Sequence, residues 1–375
     1  MLKKGAKITN IMIEKECAEQ KVKICTFVTS NFIKMRSFGS DNHSGIHPDI
    51  LNAINNANVN HVIAYGDDPY TQKVSEKISR IFGEKAQFFP MFNGTGANIC
   101  ALKACVQTFH AIISAETGHI FVDECGAPEW LTGASLKSVS TSNGKVTPDK
   151  LQPFFHQFGF EHHAQPKVLY ISQLTELGTA YTIQEINELA DLLHQNNMYL
   201  HLDGARIANA AASLGVSLKA LTADAGVDIL SFGGTKNGMM LGESVITFRP
   251  ELAENMKYIR KQSAQLYSKM RFCSAQFDAY LENDLWLKNA THANKMAHLL
   301  REQLSQIAPF EFTQETEGNI ILVKMDPVLI EKLLEHHFFY VWNENTHEIR
   351  LVTSWDTTEE DIQHFTNDVK KLLKL

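Results

Sequence analysis

Between residues 198 and 242 the hydrophobic rhythm of this chain switches twice, and few folds accept such an order of switches. An apolar run over 198–202 stops at Asp203-Gly204. A helical pattern occupies 205–214, and a second apolar run over 227–232 stops at Gly233-Gly234-Thr235-Lys236. Short apolar runs bounded by glycine read as buried strands, with the pattern between them as a crossover helix. Parallel strands joined in this way belong to an open α/β sheet, and such sheets place ligands just beyond the carboxyl ends of their strands. Asp203 and Lys236 both stand there.

A carboxylate and a lysine at neighbouring strand ends suit one cofactor well. Pyridoxal phosphate (PLP) needs a lysine to hold it as a Schiff base. It also needs an anion against its pyridine nitrogen, so that the ring stays protonated and draws electrons from the substrate. Lys236 fits the first role and Asp203 the second. Taken singly, Asp203 reads equally well as a helix cap and Lys236 as a solvated loop charge. The combination, with glycines crowding the lysine, favours the cofactor.

A phosphate site is legible upstream. A strand pattern over 87–92 runs into Asn93-Gly94-Thr95-Gly96, followed by a helical pattern over 99–108. A glycine-rich turn that opens a helix offers free N–H groups and the positive end of the helix dipole. The dinucleotide fingerprint fails because Ile99 takes the third glycine position, and no Gly-Lys-Ser/Thr follows to make a P-loop. A cofactor with a single phosphate fits better, on Gly94 and Thr95.

Composition narrows the remaining classes. The 375 residues are 44% hydrophobic, enough to bury a large core in two domains. The formal charge of -7 without a long basic run argues against nucleic acid. No apolar run reaches the ~18 residues of a membrane span, and the basic start makes a poor secretory signal because charges interrupt the apolar patch that follows. The six cysteines show no CxxC pair or zinc spacing, so no metal is expected. The cytosol is the expected compartment.

LHLDGARI followed by SFGGTK, with YGDDP at 65–69, resembles the threonine aldolase group of fold-type I PLP enzymes, which also contains related β-eliminating lyases. The resemblance runs from about residue 37 to the end. It implies an α/β fold of the PLP-dependent transferase type, with a mainly parallel seven-stranded sheet over 37–285. A smaller α+β domain over 286–375 and an extension over 1–36 complete the division. The reaction it implies is retro-aldol cleavage of β-hydroxy-α-amino acids, of the L-threonine or L-allo-threonine type, to glycine and an aldehyde. The resemblance also implies a homodimer or homotetramer, with the YGDDP loop at the rim of the active site or at a subunit contact.

Roles follow residue by residue from the same resemblance. Ser40 and Arg350 hold the substrate carboxylate, and a fork-shaped guanidinium suits that bidentate task. His119 stacks on the pyridine ring and can take part in proton transfer. Arg206 lies close to the cofactor, and Arg271 (or, with a gap in the match, Lys261) near a phosphate, either its own subunit's or a neighbour's. One departure is visible. Many threonine aldolases carry Glu-Asn-Thr-His where this chain has Thr175-Glu176 before Leu177-Gly178, so Glu176 replaces a histidine near the substrate hydroxyl. The base is left open among His119, Glu176 and a bound water. Glu124 is a further candidate polar group, read equally as an acid at a helix start. β-Elimination, aldol cleavage of bulkier substrates such as phenylserine, or a non-catalytic role are the competing readings.

Overall fold

The computed structural model describes residues 36–375, so the extension expected over 1–36 falls, but for Arg36, outside the described residues. The main sheet has the order β1-β7-β6-β5-β4-β2-β3: β1 (Gln87–Met91), β2 (His110–Ala115), β3 (Ser135–Val139), β4 (Gln165–Ser172), β5 (Tyr199–Gly204), β6 (Ile229–Gly233) and β7 (Glu243–Thr247). β2 to β6 pair in parallel, and β7 runs antiparallel to both its neighbours, β6 and β1. β6 and β7 are buried along their whole length, as sheets covered by helices on both faces require. The fold is therefore the mostly parallel, seven-stranded α/β architecture that the motifs imply.

The helices cover both faces of this sheet. Ile50, Val74, Ile78, Leu189, Leu193 and Phe277 join Leu200, Leu202 and Leu230 in one core, while Ala97, Leu102 and Met256 pack with Ile112, Val168 and Val245 in another. Local chemistry sets the helix ends. Thr182 and Glu185 form a capping box at the start of Ile183–Gln195, and Asn93 caps Gly94–Cys105 by accepting from the Gly96 amide.

A second sheet of four antiparallel strands follows: β8 (Glu311–Phe312), β9 (Ile320–Lys324), β10 (Tyr340–Asn343) and β11 (Glu348–Val352), in the order β10-β11-β9-β8. Its core uses Leu300 and Leu304 of the long helix Leu285–Ile307, Phe365 and Val369 of the last helix, and Phe38. Phe38 also bonds through its backbone to Phe338 and Val352. The start of the described chain, which the sequence groups with the large sheet, is thus built into the small one. That attachment brings Ser40 to β11.

Candidate active site

Register puts the polar groups of the floor side by side. Ser172 at the end of β4 pairs with Asp203 on β5, and Asp203 with Ser231 on β6. The Asp203 carboxylate accepts from the Tyr170 hydroxyl (2.6 Å), the Asn98 amide (2.8 Å) and the backbone N–H of Ala205 (2.9 Å). Burial by itself would raise this carboxyl. The Tyr170 bond, the His119 charge, the Asn98 bond and Lys236 together outweigh burial and hold it below the usual carboxylate range. Asp203 is a buried anion.

Asn98 carries the network outward. Its amide also donates to Glu124 Oε1 (2.9 Å), which is 2.9 Å from His119 Nδ1. The Glu124 bond raises the His119 imidazole, against the opposing effect of burial. With Nδ1 occupied in this way, Nε2 is the ring nitrogen left to act. Glu124 does not open a helix; it serves as the partner of Asn98 and His119. Glu176 accepts from Ser172 Oγ (2.6 Å) and from the His119 backbone N–H (2.8 Å), and burial raises its carboxyl. The residue expected near the substrate hydroxyl therefore also holds the His119 backbone.

Lys236 sits in the short 3-10 turn Thr235–Asn237. Asn237 pins that turn, donating to the Tyr280 hydroxyl and to the Trp286 carbonyl (2.8 Å each). Burial lowers the Lys236 ammonium, and Arg206 lowers it further against Asp41, Asp203 and Glu243. Its amine makes no hydrogen bond among the described residues. Lys236 and Asp203 are thus within each other's field, the amine without a hydrogen-bond partner among the described residues and the carboxylate with three donors.

Glu243 was not legible as a site residue. On β7 it pairs in register with both Met91 and Gly233. A Cβ on Gly233 would lie 1.9 Å from its carboxylate, so that glycine makes the room. Burial pushes Glu243 up to about 7. Gly94 and Thr95 open the Gly94–Cys105 helix nearby, with Glu243 Oε2 4.0 Å from where a Gly94 Cβ would stand. In place of a Gly96 side chain lies Gln265, which accepts from the Phe92 N–H (2.9 Å).

A cleft opens beside the small sheet. Ser40, Asn42, His43, Asp123, Tyr340, Val341, Trp342 and Arg350 line a cleft of ≈ 470 Å³. Arg350 stacks over Trp342 (4.7 Å) and Tyr340 (5.8 Å), pairs with no carboxylate among the described residues, and has a buried Nε without a partner. The Ser40 hydroxyl accepts from the Asn42 N–H (3.1 Å) at the mouth of the same cleft.

Two arginines expected near the cofactor are held in different ways. Arg206 neighbours Lys236 and Asp203, but its Nε and Nη2 are both donated to Asp41 at 2.8 Å, and Asn319 donates to the same carboxylate (3.0 Å). Asp41 is a structural counter-charge that the motif did not announce. Arg271 donates to the carbonyls of Val59 and Asn60 and lies over the Phe272 ring, outside the Lys236–Asp203 group. Lys261 lies over Tyr65 of the 65–69 loop, and Asp68 of that loop caps Pro69–Phe82.

These residues fit pyridoxal phosphate: an anion for the ring nitrogen, an unpartnered amine, a histidine beside them and a helix N-terminus at Gly94. Comparison with known proteins agrees. The sequence profile of the beta-eliminating lyase family matches residues 37–326. Low specificity L-threonine aldolases of Pseudomonas aeruginosa and of a second Pseudomonas strain are 38% and 37% identical over 339 residues, each alignment covering 90% of this chain and 98% of the relative. A solved structure of the Leishmania major threonine aldolase, 29% identical, superposes with a TM-score of 0.85 over 90% of this chain and 99% of that one.

Proposed function

This chain belongs to the beta-eliminating lyase family, and from that premise we propose that it is a PLP-dependent aldolase cleaving L-threonine-type β-hydroxy-α-amino acids to glycine and an aldehyde. The observation that carries the reading is the meeting of an unpartnered Lys236 amine with the buried Asp203 anion at adjacent strand ends. PLP supplies a protonated ring that accepts the electrons of the bond broken at the α-carbon.

The chain's own residues do the rest. Asp203, fixed by Tyr170 and Asn98, would keep the ring nitrogen protonated, and Gly94 and Thr95 would take the phosphate. Lys236 would be the anchoring amine; burial lowers its proton affinity, which favours the nucleophilic form. Arg350 and Ser40 hold the substrate carboxylate and so orient the bond that breaks. His119 Nε2 takes the β-hydroxyl proton, with Glu124 steadying the imidazolium that results.

The Arg350 cleft has His43, Tyr340 and Trp342 in its walls, which favours a second reading, aryl substrates such as phenylserine. Among the described residues no helix is long and apolar enough to cross a membrane. The cytosol is our proposed compartment. Ile63, Tyr65 and Phe92 are exposed in the single chain, which supports a homodimer or homotetramer.

The test is to supply the purified protein with PLP and incubate it with L-threonine, L-allo-threonine and L-phenylserine. Glycine and the matching aldehyde are expected, with turnover lost by more than the roughly 10²–10³-fold that removing one stabilising donor costs when Lys236 becomes alanine. Turnover surviving in Lys236→Ala, or no glycine from any of the three, would overturn the reading.

A further inference from the structure

On the far side of the turn that leads into β10, the small sheet's outer helices bring three metal-type donors together. His337 follows the helix Pro327–Leu334; His364 and Asp368 lie one turn apart on Glu359–Leu373, a spacing that puts both side chains on one helix face. One donor atom from each of the three lies within 4.8 Å of the others. His337 Nε2 is already 2.8 Å from Asp368 Oδ2, and the His364 ring meets the His337 ring edge-on at 5.3 Å.

We infer that His337, His364 and Asp368 form a binding site for a divalent transition ion of the zinc class, which fastens the 335–339 turn to the last helix. Two imidazoles and one carboxylate are a borderline-soft donor set that selects zinc, cobalt or nickel over magnesium and calcium. The site is half built before any ion arrives. His337 is 4% exposed and packs against Phe365 (4.9 Å), which fixes its ring. His364 is exposed and gives the ion an entry path, with water to complete a tetrahedron. A His–Asp pair alone accounts for two of these residues; the third donor, on the same helix face as the aspartate, is what converts the pair into a tripod.

The turn that would be fastened leads directly into the substrate side. The Phe338 carbonyl accepts from the Phe38 N–H (2.9 Å), its ring lies 5.5 Å from that of His43, and Tyr340 two residues on lines the Arg350 cleft. An ion here would stiffen that wall without touching the reacting groups.

The experiment titrates Zn²⁺, and Co²⁺ for its spectrum, into the full-length PLP-loaded protein, with His364→Ala as the exposed and structurally mild variant and Asp368→Asn as the second. A saturable component of one ion per chain is expected, resistant to excess Mg²⁺. Each variant should weaken it by at least the roughly 10–100-fold that even an outer-shell partner is worth. Zn²⁺ should also slow hydrogen exchange at the 336–340 amides of the wild type only. Absence of a stoichiometric component, or equal affinity in His364→Ala, would overturn the inference, because the remaining histidines would then account for any binding.

Discussion

At the end of β5 the Asp203 carboxylate accepts three hydrogen bonds; on β11 the Arg350 guanidinium shares its cleft with Asp123 but pairs with no carboxylate among the described residues, and it leaves a buried nitrogen without a partner. The floor is satisfied in advance, and the wall is held open. A buried anion with its donors in place needs no rearrangement to keep a ring protonated, whereas on the proposed reading a cation stacked on Tyr340 and Trp342 would gain its carboxylate from the arriving substrate. Arg206 sharpens the contrast. It has the same chemistry as Arg350 and lies close enough to influence it, yet Asp41 has neutralised it. One arginine holds the structure together, and the other is free to bind.

The comparison can be broken at the point where the two regions meet. Asp41→Ala leaves Arg206 buried and unpaired and removes a bond to Asn319, whose amide also donates to the Thr353 carbonyl after β11. A stability loss of roughly 3–5 kcal/mol in chemical denaturation is expected; a loss near zero would mean that Arg206 is free after all. On the floor, Asp203→Asn keeps the size of the side chain and removes the anion. Turnover should fall by about 10²–10³-fold with little change in KM.

On the wall, Arg350→Lys retains charge but loses the fork. A rise in KM for threonine of about 10–100-fold is expected, matching the roughly 1.5–3 kcal/mol of a charged hydrogen bond. An unchanged KM would move carboxylate binding elsewhere. The smallest effect sits between the regions, at Glu243. Burial raises this carboxyl from 4.5 to about 7, so the folded state holds a proton that the unfolded state releases between those values. Stability of the cofactor-free protein from this group is therefore full below pH ~4.5 and declines as pH rises through about 7, by roughly 1–3 kcal/mol. Glu243→Gln should flatten that decline; an unchanged pH profile would show that Glu243 does not carry the proton.

The family motifs were legible because they are short and local. Asp203 and Lys236 end strands that announce themselves by apolar runs, and Gly94 opens a helix behind an Asn cap. Tyr170, Asn98 and Glu243 carried no comparable signal. Tyr170 stands inside a run that reads as a buried strand, and Asn98 lies in the second turn of a helix, where its residue type predicts nothing about a carboxylate more than a hundred positions away. Arg271 was suggested by position alone, near a phosphate of its own or a neighbouring subunit. Within the single folded chain its Nη1 goes to the backbone of residues 59 and 60.

The residues by themselves determined the α/β class, the strand ends where chemistry collects and the cofactor those ends suit, because strand periodicity and glycine turns act over a few residues. Only the tertiary structure decided which charges are cancelled and which stay available. Arg206 and Arg350 are the same residue type in the chain; they differ because Asp41 pairs with one of them, while among the described residues no carboxylate pairs with the other. Whether a buried charge has a partner depends on contacts between distant segments, and spacing along the chain does not encode those contacts.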